Sequence, residues 1–161
     1  MATNPLAVMF SRGTGEWETP HDLFNHLDAS YVFTLDACAT AENAKCETYY
    51  TKEMDGLTQA WKGAVWCNPP YGRGVGRWLH KGQAELALGR CAVVVFLLPA
   101  RTDTRWFHDY IWDDRCHHAR TDIELRLLAG RLRFQNAASS APFPSMLVRM
   151  TDEGKHRKQK R

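Results

Sequence analysis

The sequence predicts a single α/β domain built on an open, compact, mostly parallel β-sheet with helices on both faces. Segments typical of strands alternate along the chain with segments of helical spacing, which is the pattern of parallel α/β folds. Residues 92–98 are almost continuously apolar and rich in β-branched side chains, as expected of a strand buried on both faces. A chain of 161 residues fits one domain with one core, and we place that domain at residues 1–154.

The first predicted elements lie near the N-terminus. Residues 1–15 are expected to form an irregular arm. A helix is predicted to begin at Thr19 and Pro20, with the threonine as its cap and the proline in its first turn, where a missing N–H is tolerated. Apolar side chains between residues 23 and 27 give this helix one buried face.

The remaining elements alternate in type along the chain. Helices are predicted at residues 76–88 and 104–111, and a turn of small residues at 37–44. The chain on either side of Gly130 is expected to form a bent strand or a hairpin. The predicted strands are residues 32–36, 46–51, 64–67, 92–98, 123–128, 132–135 and 145–150.

Two of these strands end in polar, tightly turning segments, residues 36–40 and 68–71. In open α/β sheets, ligands bind beyond the carboxyl ends of the strands. We therefore expect the two segments to border one crevice.

Composition and charge exclude several classes of protein. The apolar share of 44% argues against disorder, and the longest apolar run, residues 91–100, is too short to span a bilayer. The first 12 residues lack the order of a signal peptide, so we expect a cytoplasmic protein with no membrane partner. Residues 155–161 form a basic tail, without which the net charge of +3 becomes −2. The tail can attract phosphates, although taken alone it is typical of a solvated terminus.

The cysteines are expected to be free, buried thiols. Their number is odd and no pair is spaced Cys-x-x-Cys, which argues against disulfides and zinc. The run Cys116-His117-His118 is a weak metal candidate, because adjacent side chains rarely converge on one ion. No metal is therefore predicted. The cysteines are Cys38, Cys46, Cys67, Cys91 and Cys116.

The segment Asn68-Pro69-Pro70-Tyr71 carries the candidate chemistry, although by itself it is also a good turn. Two consecutive prolines stiffen the loop and remove two N–H donors, so that carbonyl acceptors dominate. The Asn68 side-chain oxygen and the Pro69 carbonyl could hold both hydrogens of an aromatic amine such as that of adenine. A flipped-out base could stack on Tyr71, a contact worth about 1–3 kcal/mol.

The ordered motifs of residues 17 to about 150 resemble the phage-type DNA N-6-adenine methyltransferases. Asn-Pro-Pro-Tyr after a strand is similar to the catalytic motif of amino-methyltransferases that act on adenine, and of some that act on glutamine. The other matching stretches are Trp17-Glu18-Thr19-Pro20, Leu35 to Thr40, Asn43 to Cys46, Asp55-Gly56-Leu57, Trp61, Trp66 to Gly72, Leu98 to Thr104 and Gly130 to Phe134.

The resemblance implies a Rossmann-like methyltransferase fold, S-adenosylmethionine as methyl donor and DNA as partner, in the cytoplasm of a bacterial host cell. By resemblance Asn68, Pro69, Pro70 and Tyr71 are catalytic. The glycine-rich turn of many relatives is absent here, which leaves the cofactor contacts open. The cofactor residues that the resemblance implies are Trp17, Thr19, Pro20, Asp36, Ala37, Cys38 and Asp55.

Target recognition is expected to come from short loops, because only 31 residues separate Asp36 from Asn68. Candidate loops are residues 101–105, 112–121 and 131–144. The candidate DNA contacts are Arg73, Arg101 and Arg105.

Two alternatives remain open. One is methylation of a glutamine side chain on a protein, and the other is a non-catalytic nucleic-acid-binding module on the same fold. The intact Asn-Pro-Pro-Tyr loop argues against the second.

Overall fold

The computed structural model describes residues 17–152, so the predicted arm at 1–15 and the basic tail at 155–161 lie outside the described residues. The helices are α1 (His21–Tyr31), α2 (Val75–Ala87) and α3 (Arg105–Tyr110). The strands of the main sheet are β1 (Leu35–Asp36), β2 (Gly63–Cys67), β3 (Cys91–Pro99), β6 (Ile123–Leu127) and β7 (Ser145–Thr151), and β4 (Trp112–Asp113) and β5 (His118–Ala119) form a separate hairpin.

The main sheet has the strand order β1-β2-β3-β7-β6. β1, β2 and β3 are parallel to one another, β7 is antiparallel to β3, and β6 is antiparallel to β7. Parallel pairing at β1 to β3 brings the carboxyl ends of these strands to one edge of the sheet. This edge carries both polar segments that the sequence singles out.

Helices cover both faces of the sheet, as predicted. Alternate side chains of a strand point to opposite faces. In β3, Val94 and Phe96 face a core that includes residues of α2 and α3. Val95 and Leu97 face a second core, which contains Phe24 of α1. Because β3 is buried on both faces, its sequence is continuously apolar.

At the start of the domain, the predicted cap of the first helix is wrong and the first predicted strand is shortened. Pro20 occupies the cap position of α1, with φ −59° and ψ 134°, and no side chain in the described part of the chain caps this helix. The Thr19 hydroxyl instead accepts a hydrogen bond from Asn68. The strand predicted at 32–36 is reduced to Leu35–Asp36, because Val32 ends α1 in the left-handed conformation with φ 52°.

Two further predicted strands are absent from residues 17–152. In the segment 46–51, only Tyr49 forms a bridge, to Asp36. The segment 132–135 is irregular, because Phe134 is buried in a core while the Gln135 N–H donates to the Glu18 carbonyl. Instead of pairing with a neighbouring strand, this segment bonds to the chain before α1.

All five cysteines lie within residues 17–152 and are free, as predicted. Cys67 and Cys91 are buried, but Cys116 is exposed near the hairpin of β4 and β5, so its predicted burial is wrong. In the described range, no helix has the length and apolar character needed to cross a membrane.

The turn at residues 55–57 packs tightly against the end of β1. A Cβ atom on Gly56 would lie 2.2 Å from the Ala37 carbonyl oxygen, so only glycine fits. The Trp61 indole N–H donates to the Gly56 carbonyl at 2.8 Å, and the Trp61 backbone N–H donates to the buried Glu85 carboxylate of α2 at 3.2 Å. These contacts hold the turn beside the carboxyl edge of the sheet.

Gly56→Ala should destabilise the protein by roughly 1–3 kcal/mol, because a backbone oxygen cannot move aside as a flexible side chain can. Gly74→Ala is the matched control, since a Cβ atom there meets no described atom within 4 Å. Urea unfolding followed by tryptophan fluorescence measures both changes. Equal free energies of unfolding for the two variants would contradict the steric argument.

Candidate active site

A cavity of about 400 Å³ lies at the carboxyl edge of the sheet, within the range of small-molecule sites. Asp36 and residues 38–40 line it together with Asn68 and Pro70, so the predicted shared crevice is confirmed. Its walls come from the segment before α1, from the chain after β1, from the loop after β2 and from α2. The lining residues are Trp17, Glu18, Thr19, Asp36, Cys38, Ala39, Thr40, Asn43, Tyr50, Thr51, Lys52, Asp55, Gly56, Trp66, Asn68, Pro70 and Trp78.

The amide of Asn68 is held in one orientation. Its NH₂ group donates to the Trp17 carbonyl and, at 3.0 Å, to the Thr19 hydroxyl. A backbone carbonyl can only accept, so the amide nitrogen must face Trp17. The amide oxygen is buried and has no hydrogen-bond partner among residues 17–152. A buried acceptor without a donor costs about 1–3 kcal/mol, so this oxygen is suited to an N–H donor of a ligand.

The two prolines after Asn68 differ in exposure. Pro69 is buried, whereas Pro70 is exposed and lines the cavity. Neither has an N–H to donate, so these two residues add no backbone donor that would compete for the Asn68 oxygen.

Tyr71 follows the lining residue Pro70 in the chain and is not itself among the residues that line the cavity. Its hydroxyl donates to the Leu97 carbonyl at 3.2 Å. Its ring packs edge-on against Phe143 and Phe134, with centroids 5.6 and 6.3 Å away. Burial raises the pKa of Tyr71 well above its ordinary value, so the hydroxyl stays a donor. The ring is therefore fixed in place and half-buried.

Asp36 ends β1 and is only 3% exposed. Its carboxylate accepts the N–H of Lys45 at 3.1 Å and the N–H of Cys38 at 3.4 Å. Burial raises its pKa to about 6, against the lowering effect of these two hydrogen bonds and of the Lys45 ammonium. The hydrogen bonds thus do not fully offset the cost of removing the ionised carboxylate from water, and a cationic group of a ligand would stabilise it.

The structure brings most of the predicted cofactor residues to the cavity. Trp17, Thr19, Asp36, Cys38 and Asp55 are among the residues that line it. The Asp55 carboxylate accepts the Leu57 N–H at 3.2 Å, and the Asp55 backbone is left-handed with φ 53°. Pro20 and Ala37 are not among the lining residues, and Ala37 is instead fully buried against the Gly56 turn.

Asn43, Tyr50 and Trp78 are among the lining residues that had no predicted role. The Asn43 side-chain oxygen accepts the Thr40 N–H at 2.7 Å and so shapes the turn after β1. The Tyr50 hydroxyl donates to the Ala60 carbonyl at 2.8 Å. Trp78 stacks on the buried Trp61 at 6.3 Å. The sequence signal for these positions was an aromatic side chain near the end of a predicted strand (Tyr50) and early in a predicted helix (Trp78). The direction in which such a side chain points depends on tertiary packing, so the sequence did not assign either residue to the cavity.

The predicted DNA contacts follow the carboxyl ends of β2 and β3. Arg73 is exposed in the loop before α2. Arg101 pairs with Asp103, and Arg105 pairs with Asp109, both at 3.3 Å. Surface ion pairs contribute only about 0–1 kcal/mol, so either guanidinium can exchange its carboxylate for a phosphate.

Within residues 17–152, no cluster of three or more His, Cys, Asp or Glu side chains could hold a metal ion. Cys116, His117 and His118 are exposed.

Comparisons with known proteins agree with the fold. A family model described as DNA N-6-adenine-methyltransferase (Dam) matches residues 11–150. The crystal structure of the 23S rRNA methyltransferase ErmE superposes with a TM-score of 0.52 at 12% identity, covering 84% of this chain and 69% of that one. The domain therefore has the Rossmann-like methyltransferase fold that was predicted.

Two curated relatives match shorter stretches. The DNA N-6-adenine-methyltransferase of Escherichia phage T1 is 33% identical over 101 residues, which are 56% of this chain and 38% of the phage protein. A putative methyltransferase, YfdM, of Escherichia coli strain K12 is 38% identical over 64 residues, 35% of this chain and 70% of that protein. The chain thus matches well under half the length of the phage relative.

The buried Asp36 should make stability depend on pH in a defined direction. Burial raises the pKa of its carboxyl group from the ordinary value of 3.8 to about 6, so between these pH values the folded state binds more protons than the unfolded state. Its contribution to the free energy of unfolding therefore falls as the pH rises from about 4 to about 6, and is constant above that range.

Asp36→Asn removes this titration. The free energy of unfolding of the variant, relative to that of the unsubstituted protein, should therefore increase between pH 4 and pH 7, by up to about 3 kcal/mol. Urea unfolding across this pH range provides the measurement. Asp22→Asn, at an exposed position of α1, is the comparison for loss of a surface carboxylate. A stability difference between Asp36→Asn and the unsubstituted protein that does not change with pH would contradict the raised pKa.

Proposed function

The chain belongs to the DNA N-6-adenine-methyltransferase (Dam) family, and on that premise we propose that it methylates the exocyclic amine of adenine in DNA, with S-adenosylmethionine as donor. The observation that carries the proposal is the buried oxygen of Asn68, which has no hydrogen-bond partner in the described part of the chain and lies at the wall of a ligand-sized cavity. The phage relative described as a DNA N-6-adenine-methyltransferase supports it. The place of action would be the cytoplasm of a bacterial host cell.

The chemistry depends on presenting the adenine nitrogen correctly. Its lone pair is delocalised into the ring, so the amine is a weak nucleophile. The Asn68 oxygen would accept one amine hydrogen and the Pro69 carbonyl the other. These two hydrogen bonds favour a pyramidal nitrogen, whose lone pair is then free to attack. The surplus proton can leave after the methyl group has transferred, so no strong base is required beforehand.

The residues that line the cavity fit the proposed donor. When bound, S-adenosylmethionine supplies an electrophilic methyl group on a positively charged sulfur. Asp36 is the buried carboxylate that would hold a cationic amino-acid end, with Cys38 beside it. Trp17 and Trp78 offer aromatic surface for a purine, and Asp55 offers a carboxylate to its polar edge. Thr19 contributes from the N-terminal side, with Pro20 and Ala37 adjoining the lining residues.

The target base would have to leave the duplex, because the amine is otherwise buried in a base pair. Tyr71 is the proposed stacking surface. Its hydroxyl bond to Leu97 and its edge-on contacts to Phe143 hold the ring in place before a base arrives, which lowers the entropy lost on stacking. Arg73, Arg101 and Arg105 would contact phosphates.

Transfer of a labelled methyl group from S-adenosylmethionine tests the proposal. Duplex DNA should take up label, and sequencing should place the methyl group at adenine N6. Asn68→Ala should lower the rate by roughly 10²–10³-fold, the usual cost of removing a positioned hydrogen-bond partner of the transition state. Donor affinity measured by calorimetry should remain similar, because the other lining residues are unchanged.

Asn25→Ala, at an exposed position of α1, is the matched control and should retain full activity. Label in a protein extract but not in DNA would replace adenine by glutamine as the target. Donor binding without transfer to any substrate would support the non-catalytic module.

The role of Tyr71 can be separated into its ring and its hydroxyl. Tyr71→Phe keeps the ring and loses only the bond to the Leu97 carbonyl, so it should retain base capture. Tyr71→Ala removes the ring and should weaken capture of the flipped base by about 1–3 kcal/mol. The fluorescence of DNA with 2-aminopurine at the target position reports flipping. A normal signal in Tyr71→Ala would exclude the stacking role.

A further inference from the structure

The orientation of Asn68 depends on the segment Trp17–Thr19. Both acceptors of its NH₂ group belong to this segment, the Trp17 carbonyl and the Thr19 hydroxyl. Glu18 lies between them in the chain. Fixing the backbone of Glu18 therefore fixes the positions of both acceptors.

The loop between β6 and β7, residues 128–144, holds this segment from outside the cavity. The Gln135 N–H donates to the Glu18 carbonyl at 2.9 Å. The Glu18 N–H donates to the side-chain oxygen of Asn136 at 3.1 Å. Both polar groups of the Glu18 backbone are thus bound by two consecutive residues of the loop, 118 positions away in the case of Asn136.

Aromatic packing makes the same connection. The Trp17 ring lies 5.1 Å from Phe134 and 5.2 Å, edge-on, from Phe143. Both phenylalanines belong to the loop and are buried. The loop therefore holds the Trp17 side chain as well as the Glu18 backbone.

We propose that Asn136 is a positioning residue for the catalytic amide: by accepting the Glu18 N–H, it keeps the Trp17 carbonyl and the Thr19 hydroxyl where they orient the Asn68 oxygen. Asn136 is exposed and is not among the residues that line the cavity. A substitution at this position changes the acceptor of the Glu18 N–H and leaves every residue that lines the cavity unchanged. The effect on rate rests on the proposed function, whereas the effect on the Asn68 amide does not.

Three variants isolate the side-chain acceptor. Asn136→Ala removes it. Asn136→Asp keeps an oxygen that accepts the Glu18 N–H. Gln135→Ala is the matched control, because Gln135 binds Glu18 through its backbone N–H, which alanine retains. Asn136 and Gln135 are both exposed, so the variants should fold, and thermal unfolding verifies this.

The first readout is the side-chain NH₂ resonances of Asn68 in NMR spectra of the protein without donor or DNA. Asn136→Ala should shift these resonances and speed their exchange with solvent. Asn136→Asp and Gln135→Ala should resemble the unsubstituted protein. The second readout is single-turnover methyl transfer to DNA at saturating donor. Asn136→Ala should be slower on the order of fivefold, which corresponds to one hydrogen bond of about 1 kcal/mol, and Asn136→Asp should restore most of the rate.

Unchanged Asn68 resonances in Asn136→Ala would overturn the proposal, as would an equal change in Gln135→Ala or no recovery in Asn136→Asp. A shifted Asn68 resonance together with no methyl transfer by any variant, or by the unsubstituted protein, would reject the proposed function and leave the positioning role supported.

Discussion

The site depends on one pair of hydrogen bonds, those from the Asn68 amide nitrogen to the Trp17 carbonyl and the Thr19 hydroxyl. A side-chain amide has a donor end and an acceptor end of nearly equal size, and only its partners decide which end faces a ligand. Here the Trp17 carbonyl and the Thr19 hydroxyl both bind the amide nitrogen, so the acceptor end points away from them. The oxygen is left buried and unpaired within the described structure, so its desolvation is uncompensated until a donor arrives.

Asp36 is likewise a buried polar group whose desolvation is not fully offset by its hydrogen bonds. Burial of its carboxyl group raises its pKa to about 6, and the two backbone N–H groups that it accepts oppose this rise without cancelling it. Asp36 ends β1 and Asn68 follows the neighbouring parallel strand β2, so both residues line one cavity. Groups that weaken the folded state when nothing is bound become favourable when a ligand complements them, which is how binding sites differ from the rest of a core.

Rigidity around these groups comes from elements distant in sequence. The segment before α1 supplies the partners of Asn68, and the loop between β6 and β7 holds that segment through Glu18 and Trp17. The turn at Gly56 reaches the end of β1 because glycine leaves room for the Ala37 carbonyl. The sheet places the candidate residues at one edge, and these long-range contacts set their orientation.

The sequence by itself determined the fold class and the crevice at the carboxyl edge, with the loop at Asn68 as part of its border. It could do so because strand periodicity, the continuous apolarity of β3 and the stiffness of two prolines are local properties. Only the tertiary structure decided that Thr19 binds Asn68 rather than capping α1, that residues 132–135 form no strand, and that the Tyr71 hydroxyl binds the Leu97 carbonyl. A hydroxyl, a backbone N–H or an aromatic ring has several partners of similar energy, and the choice among them is made by residues far away in the chain.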